Sequence, residues 1–271
     1  MQEQNKSPSQ QRKHKRAENL LWRKQRRPNG KRHDKPYSYG FAKGQCGKRK
    51  QYEIKTTIKA TDYCVLRFDG VEMTKSFKVP REKRQMHYNK NFVQLMKNTA
   101  LELFEFLPSS VFLYQFSDEI SLLIDTKQIE NNYDNRIEKL LSILSSKASV
   151  IFNRLHGEQK DFCFDGRVIL LPQDKIADYF ECRQSFAIIK FLEELRSRNL
   201  VGEQRNLRKY GEIVEALKNC RPSIDYFAFP EDVRNGVVVY KNPLIQKGMV
   251  ANAPEFLADR QYIKDKINLL Q

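Results

Sequence analysis

The stretch Asp62-Tyr63-Cys64-Val65-Leu66-Arg67-Phe68-Asp69-Gly70 decides the reading of this chain. It is rich in β-forming side chains and stops at an Asp-Gly pair. That pattern predicts a buried strand ending in a tight turn. Downstream, Phe92, Val93, Leu95, Met96, Ala100, Leu103 and Phe104 recur at helical spacing over about 90–106. Pro108 ends that helix. Two short β-runs follow, Val111-Phe112-Leu113-Tyr114 and Ile120-Ser121-Leu122-Leu123-Ile124, close enough to form a hairpin with Ser117-Asp118-Glu119 at its turn.

Over 133–155, Ile137, Leu140, Leu141, Leu144, Ala148, Ile151, Phe152 and Leu155 make one apolar helical stripe. A strand is expected over 164–171, stopped by Pro172. Helices are expected over 174–198 and 203–218, and a late strand over 237–240 after an Arg234-Asn235-Gly236 turn. The order β-α-β-β-α-β followed by helices predicts an α+β fold. It is a ferredoxin-like, polymerase- or cyclase-like palm, an antiparallel sheet with helices on one face, plus a helical C-terminal extension.

The 271 residues hold 49 Lys and Arg against 33 Asp and Glu, a net charge of +16. Residues 1–50 contain 16 of the bases and three acids (Glu3, Glu18 and Asp34), so +13 lies there and +3 in the rest. With QRKHKR, WRKQRR and GKRHDK and few apolar residues, 1–51 is expected to be a flexible basic arm suited to phosphate backbones. A solubilising tail or a nuclear-localisation-like run are the plainer readings. A mitochondrial presequence fits the Lys and Gln content and Glu18 poorly.

Hydrophobic residues make up 40% of the chain, enough for a core, yet no run nears the roughly 18–20 apolar residues of a membrane span. MQEQNKSPSQ has no apolar core of a secretory signal. Five scattered cysteines form no C-x-x-C and no zinc-like set with the four histidines, so reduced thiols and no structural metal are expected. A soluble protein without membrane partners is expected, cytoplasmic, with the mitochondrion as the alternative.

In a β-α-β-β unit the end of the first strand and the turn of the next hairpin lie side by side, which brings Asp69 and Asp118 together. Two carboxylates beside Gly70 suit a two-magnesium site, because hard Mg²⁺ takes oxygen ligands and shares its remaining positions with water and phosphates. Either motif alone reads first as ordinary turn residues.

Three ordered motifs narrow this further. Arg67-Phe68-Asp69-Gly70, then Tyr114-x-x-Ser117-Asp118-Glu119-x-Ser121, then Phe164-Asp165-Gly166-Arg167 with Asp178-Tyr179-Phe180-x-x-Arg183-Gln184 resemble the tRNA(His) guanylyltransferase superfamily over about 52–240. The resemblance implies a catalytic palm core at 52–172 and a C-terminal part, 173–271, packing on the palm and contacting tRNA. It implies 3′–5′ nucleotide addition to a tRNA 5′ end after activation by ATP or GTP.

Carried over by motif, Asp69, the Gly70 carbonyl and Asp118 would hold two Mg²⁺. Asp69, Gly70, Val71, Glu72, Met73, Thr74, Ser117 and Asp118 would contact the triphosphate, as would Arg136 and Lys139 on the helix after the hairpin. Asp69, Asp118 and Glu119 are the implied catalytic carboxylates. Nucleoside triphosphates and tRNA are the implied partners, and a homo-oligomer, by resemblance a tetramer, the implied assembly.

The departures from the family pattern carry information too. Val71-Glu72-Met73-Thr74 stands where the family has Arg, then Phe-His, so stacking by that His is lost. The family's loop Lys corresponds to Arg81, Lys83, Arg84 or Lys90. Where members specific for histidine tRNA carry His-x-Asn-Asn, this chain has Ile188-Ile189-Lys190-Phe191, none expected to read an anticodon. That favours the branch that repairs or edits 5′-truncated tRNA by templated addition. The alternatives are a tRNA(His) guanylyltransferase adding the extra 5′ G, and a basic RNA-binding protein with little catalysis.

Deleting residues 1–50 is expected to weaken tRNA binding uniformly across tRNA sequences and to flatten its salt dependence, because each phosphate contact contributes about −0.7 to −0.9 to the slope of log K against log salt. Titrations at several salt concentrations, with and without the arm, measure this; equal slopes would exclude an RNA-binding arm.

Overall fold

The first strand, β1 (Tyr63–Gly70), is buried at Cys64, Val65, Leu66 and Phe68 and lies inside the sheet, so both of its faces are covered. The computed structural model describes residues 63–77, 88–126, 137–157, 160–241, 247–256 and 258–268. The arm 1–51, the candidate loop bases Arg81, Lys83 and Arg84, and Arg136 fall outside them.

After β1 comes a single turn, α1 (Met73–Ser76), then α2 (Lys90–Phe106). The Asn89 side chain caps α2 by accepting from the Phe92 N–H at 3.2 Å. The hairpin strands are β2 (Ser110–Phe116) and β3 (Glu119–Ile124). They are longer than expected, since Gln115 and Phe116 still pair with Ile120 and Glu119. The loop is therefore only Ser117-Asp118, and Glu119 belongs to a strand. Helix α3 (Ile137–His156) and strand β4 (Phe164–Leu171) complete the β-α-β-β-α-β unit.

A 3-10 turn at Gln173–Lys175 leads into α4 (Ile176–Asn199). A second 3-10 segment at Gly202–Asn206 separates it from α5 (Tyr210–Asn219), shortening the helix expected over 203–218. A short turn, α6 (Glu231–Arg234), precedes β5 (Val237–Lys241) and β6 (Gly248–Asn252), and α7 (Arg260–Asn268) follows. All pairings are antiparallel, in the order β4-β1-β3-β2-β5-β6. Strand β6 escapes the sequence reading because it is a short, half-exposed run paired only to β5.

The α+β palm is as expected: the two helices of the β-α-β-β-α-β unit share one face of the sheet, and helices of the C-terminal part cover the other. On one face Leu66, Phe68, Leu122 and Val168 meet α2 and α3 through Met96, Leu103, Leu144 and Phe152. On the other, Val65, Phe112, Leu123 and Ile169 meet α4 and α7 through Ile176, Phe180, Ile263 and Ile267. The strands of the unit are apolar on both sides, as a doubly covered sheet requires. The second half of α4 builds a further core with α5 through Ile188, Phe191, Leu192, Leu195, Ile213 and Leu217.

The C-terminal part also completes the sheet through β5 and β6. Gln184 ties this addition to α4: its amide donates to the carbonyls of Asn235 (3.1 Å) and Pro254 (2.7 Å) and accepts from the Phe256 N–H (2.7 Å). Cys64, Cys163 and Cys220 are free thiols. Among the described residues no helix is long and apolar enough to cross a membrane.

Gln184→Ala leaves one buried N–H and two carbonyls without these partners. It is expected to cost about 2–4 kcal/mol of unfolding free energy. Urea unfolding of the variant against wild type measures it, and a loss within ~0.5 kcal/mol would contradict the tie.

Candidate active site

The site forms where β1 ends against the Ser117-Asp118 loop. In the β1–β3 register Asp69 lies opposite Glu119, and the Gly70 N–H donates to the Asp118 carbonyl at 2.9 Å. Ser117 adopts the left-handed region (φ 54°), as the first position of a two-residue hairpin loop can require. A non-glycine residue held there is a local cost often found at functional turns. Its hydroxyl donates to Asp118 Oδ1 at 3.0 Å. Gly70 has no room for a side chain: a Cβ would fall 2.4 Å from Met73 Sδ and 3.1 Å from Asp118 Cβ. The close packing of α1 under the turn requires glycine here.

Asp118 is 4% exposed, and its Oδ1 also accepts from Lys190 Nζ at 3.2 Å. Burial, then the negative charges of Asp118 and Glu119, push the Asp69 carboxyl up to about 6; Lys190 works against this and Asp165 adds to it. Asp165 lies directly opposite Asp69 on β4. Glu119 is engaged elsewhere. Arg183 of α4 grips it with two parallel hydrogen bonds, Nε to Oε1 at 2.8 Å and Nη2 to Oε2. Burial opposes the charge on Arg183, but Glu119 more than offsets that and holds its pKa above the ordinary value. Ser121 and Tyr179 share a hydrogen bond at 3.1 Å in the same layer.

These groups line a cleft of about 290 Å³ containing Asp69, Ser117, Asp118, Glu119, Arg183, Lys190 and Glu193. Beside it is a more apolar cavity of about 110 Å³ walled by Phe77, Tyr88, Phe92, Phe116 and Phe191. Phe77 stacks on Phe92 with centroids 4.5 Å apart. Ser117 and Lys190 line both cavities.

The structure thus brings together Asp69, Gly70, Ser117 and Asp118. Glu119 adjoins them as the anchor of Arg183. Val71 and Glu72 are exposed, with Glu72 paired to Lys75 at 2.9 Å. Met73 is fully buried in the core, so its side chain is not a nucleotide contact. Thr74 lies in α1. Lys139 sits exposed on the first turn of α3 and lines neither cavity, and Lys90 begins α2.

Phe77, Tyr88, Arg183 and Lys190 were not singled out from sequence as site residues. For the last two a signal existed: Arg183, Ala187 and Lys190 recur at i, i+4, i+7 and so share one face of α4.

Among the described residues no three His, Cys, Asp or Glu side chains form a metal-holding group. Two carboxylates with a backbone carbonyl nevertheless suit Mg²⁺, which keeps water and takes phosphate oxygens as further ligands. Burial is the largest cause of the raised Asp69 pKa, and the repulsion from Asp118 and Glu119 that adds to it is what a divalent cation would relieve.

An antiparallel palm with paired carboxylates at the β1 end and hairpin turn is an arrangement suited to phosphoryl chemistry on nucleotides. Residues 47–172 match the family model of tRNAHis guanylyltransferase. That match supports a function of the tRNA 3′–5′ nucleotidyltransferase or guanylyltransferase kind.

Among solved structures, a bacterial tRNA(His) guanylyltransferase-like protein in complex with ATP aligns with TM-score 0.65 and 24% identity over 83% of this chain and 99% of that one. One in complex with GTP aligns with TM-score 0.56 and 23% identity over 83% and 98%. The tRNA(His) guanylyltransferase of Saccharomyces cerevisiae aligns with TM-score 0.60 and 20% identity over 78% and 97%. At these identities the likeness carries the fold. No curated protein matches the chain.

The raised Asp69 pKa has a signed consequence. Between 3.8 and about 6 the folded chain binds a proton at Asp69 that the unfolded chain does not. This group therefore favours folding at low pH, and its contribution is lost as pH rises through about 6. In metal-free protein, Asp69→Asn is expected to gain melting temperature over wild type above pH 6, with the gain shrinking towards pH 4. A pH-independent difference would refute the strained carboxylate.

Proposed function

We propose that this protein adds nucleotides to the 5′ end of tRNA under the direction of the opposing strand, as 5′-end repair or editing, after activation of that end by ATP or GTP. The observation that carries this reading is the fate of positions 188–191. Ile188, Ile189 and Phe191 are buried, with Ile188 and Phe191 in the α4–α5 core, and Lys190 turns to Asp118. The three buried side chains are not available to read an anticodon and the lysine is engaged with Asp118, so base choice falls to pairing with the template nucleotide.

The chemistry follows from the cleft. Two Mg²⁺ would be held by Asp69, the Gly70 carbonyl and Asp118, and when bound they would neutralise charge on the attacking and leaving oxygens. The remaining work belongs to side chains. The aromatic cavity offers an apolar wall for a nucleobase, and Ser117 and Lys190 border both it and the carboxylate cleft. Ser117 orients Asp118 through its hydroxyl, and Arg183 fixes Glu119 so that α4 closes one side of the cleft. In the first step an oxygen of the tRNA 5′-phosphate attacks the α-phosphorus of the activating triphosphate and pyrophosphate leaves. In the second, the 3′-hydroxyl of the incoming nucleotide loses its proton and attacks the activated 5′-phosphate, and the nucleoside monophosphate leaves. The ATP and GTP complexes of the bacterial neighbours support triphosphates as the small substrates.

A second reading is favoured by the description of the matching family: addition of one extra 5′ G to histidine tRNA. The two differ in what selects the nucleotide. With Mg²⁺, ATP, labelled nucleotides and a tRNA lacking its first 5′ nucleotide, changing the facing 3′-strand nucleotide is expected to switch the nucleotide added. Changing the anticodon should have little effect. Strict dependence on a histidine anticodon, with G added whatever faces it, would overturn the repair reading. Asp69→Ala and Asp118→Ala should each lower addition by about 100-fold or more, since several kcal/mol of barrier depend on the cations they would hold.

A further inference from the structure

We propose that Lys190 is a placeholder cation: it neutralises Asp118 while the site is free of metal and moves to the triphosphate when a divalent cation takes the carboxylates. This rests on the reading of Asp69 and Asp118 as the cation site.

Four carboxylates line the cleft, Asp69, Asp118, Glu119 and Glu193, against two cations, Arg183 and Lys190. The two cations are not equivalent. Arg183 is gripped by both oxygens of Glu119, and its side chain is 18% exposed. It is built into the wall.

Lys190 makes a 3.2 Å contact to Asp118 Oδ1, with its side chain 53% exposed. It reaches the carboxylate as a compact charge on a flexible four-carbon stem. Its backbone does not share that freedom, because Ile188 and Phe191 on either side are anchored in the α4–α5 core. The ammonium can therefore swing while its root stays fixed.

The direction of the swing is set by what surrounds it. A divalent cation at Asp118 must displace the ammonium or repel it across a few ångströms. Lys190 borders both the carboxylate cleft and the aromatic cavity. A nucleotide with its base in that cavity and its phosphates at the carboxylates would run past this side chain. Phosphate oxygens are the natural second partner for the released ammonium.

Two consequences of opposite sign follow. Lys190 competes with the metal in the empty site and assists the triphosphate in the loaded one. It thereby couples the two bindings, because metal frees the group that phosphate needs. A wholly structural lysine would do neither, and a plain phosphate-binding lysine would do only the second.

The test uses the full-length protein and its Lys190→Met variant, which keeps the stem and removes the charge, with Lys190→Arg retaining the charge. Mn²⁺ binding to nucleotide-free protein is read by electron paramagnetic resonance, and ATP binding is read by calorimetry with and without Mn²⁺. Lys190→Met is expected to bind Mn²⁺ about fivefold or more tighter without nucleotide, and ATP about fivefold or more weaker with Mn²⁺ present, while Lys190→Arg stays nearer wild type on both. Unchanged or weaker Mn²⁺ binding by folded Lys190→Met overturns the placeholder role.

Asp118→Asn separates the two failures. If wild type binds Mn²⁺ and Asp118→Asn does not, yet Lys190→Met equals wild type, only this inference falls. If Asp118→Asn binds Mn²⁺ as well as wild type, the carboxylate site itself is wrong.

Discussion

The register between β1 and β3 is the constraint on which the rest of the site depends. Asp69 faces Glu119, and one rung beyond, the Gly70 N–H closes onto the Asp118 carbonyl. Side chains alternate along a strand, so a slip of one residue would send Asp69 into the α2–α3 core and bring Phe68 to the cleft. Cys64, Leu66 and Phe68 on one face, and Val65 on the other, are all fully buried, and they make such a slip prohibitively costly. The geometry of the candidate site is thus held by apolar burial several residues away from it.

Helix α4 is the second organiser, and it acts along its whole length. Its first half covers the sheet through Ile176 and Phe180, and its second half builds the α5 core through Ile188 and Phe191. Between them Arg183 grips Glu119, Gln184 fastens the C-terminal strands, and Lys190 reaches Asp118. Neighbouring residues on one helix thus serve the sheet, the C-terminal addition and the cleft. This arrangement explains why Glu119 sits beside the carboxylate pair without facing a shared cation: its charge is already spent on holding the helix.

The electrostatic character of the cleft follows from these two organisers. Burial and like charges push the Asp69 carboxyl up, and Lys190 only partly opposes them. A site left in this condition favours a divalent cation with phosphate oxygens over a closed protein cage. A cavity walled by Phe77, Tyr88, Phe92, Phe116 and Phe191 lies alongside.

Much of this was legible in the chain itself. Local hydrophobic spacing determined β1, the hairpin strands, α2, α3, α4 and the β-α-β-β-α-β order, because each repeats at a period that its own residues display. The Asp69-Gly70 and Ser117-Asp118 turns were equally plain, since turn chemistry is local. What lay beyond reach depended on partners distant in sequence. Covering of the second sheet face required α7 and the start of α4 to dock on strands whose inner and outer residues are alike apolar, so periodicity could not say which face they meet. Strand β6 is defined by pairing to β5, not by its own composition. The buried Met73, the Arg183–Glu119 grip and the Lys190–Asp118 contact join residues that only the folded chain brings within bonding distance. The sequence determined the palm and its carboxylates through local pattern; tertiary structure alone decided how their charges are compensated, because compensation is a property of neighbours in space.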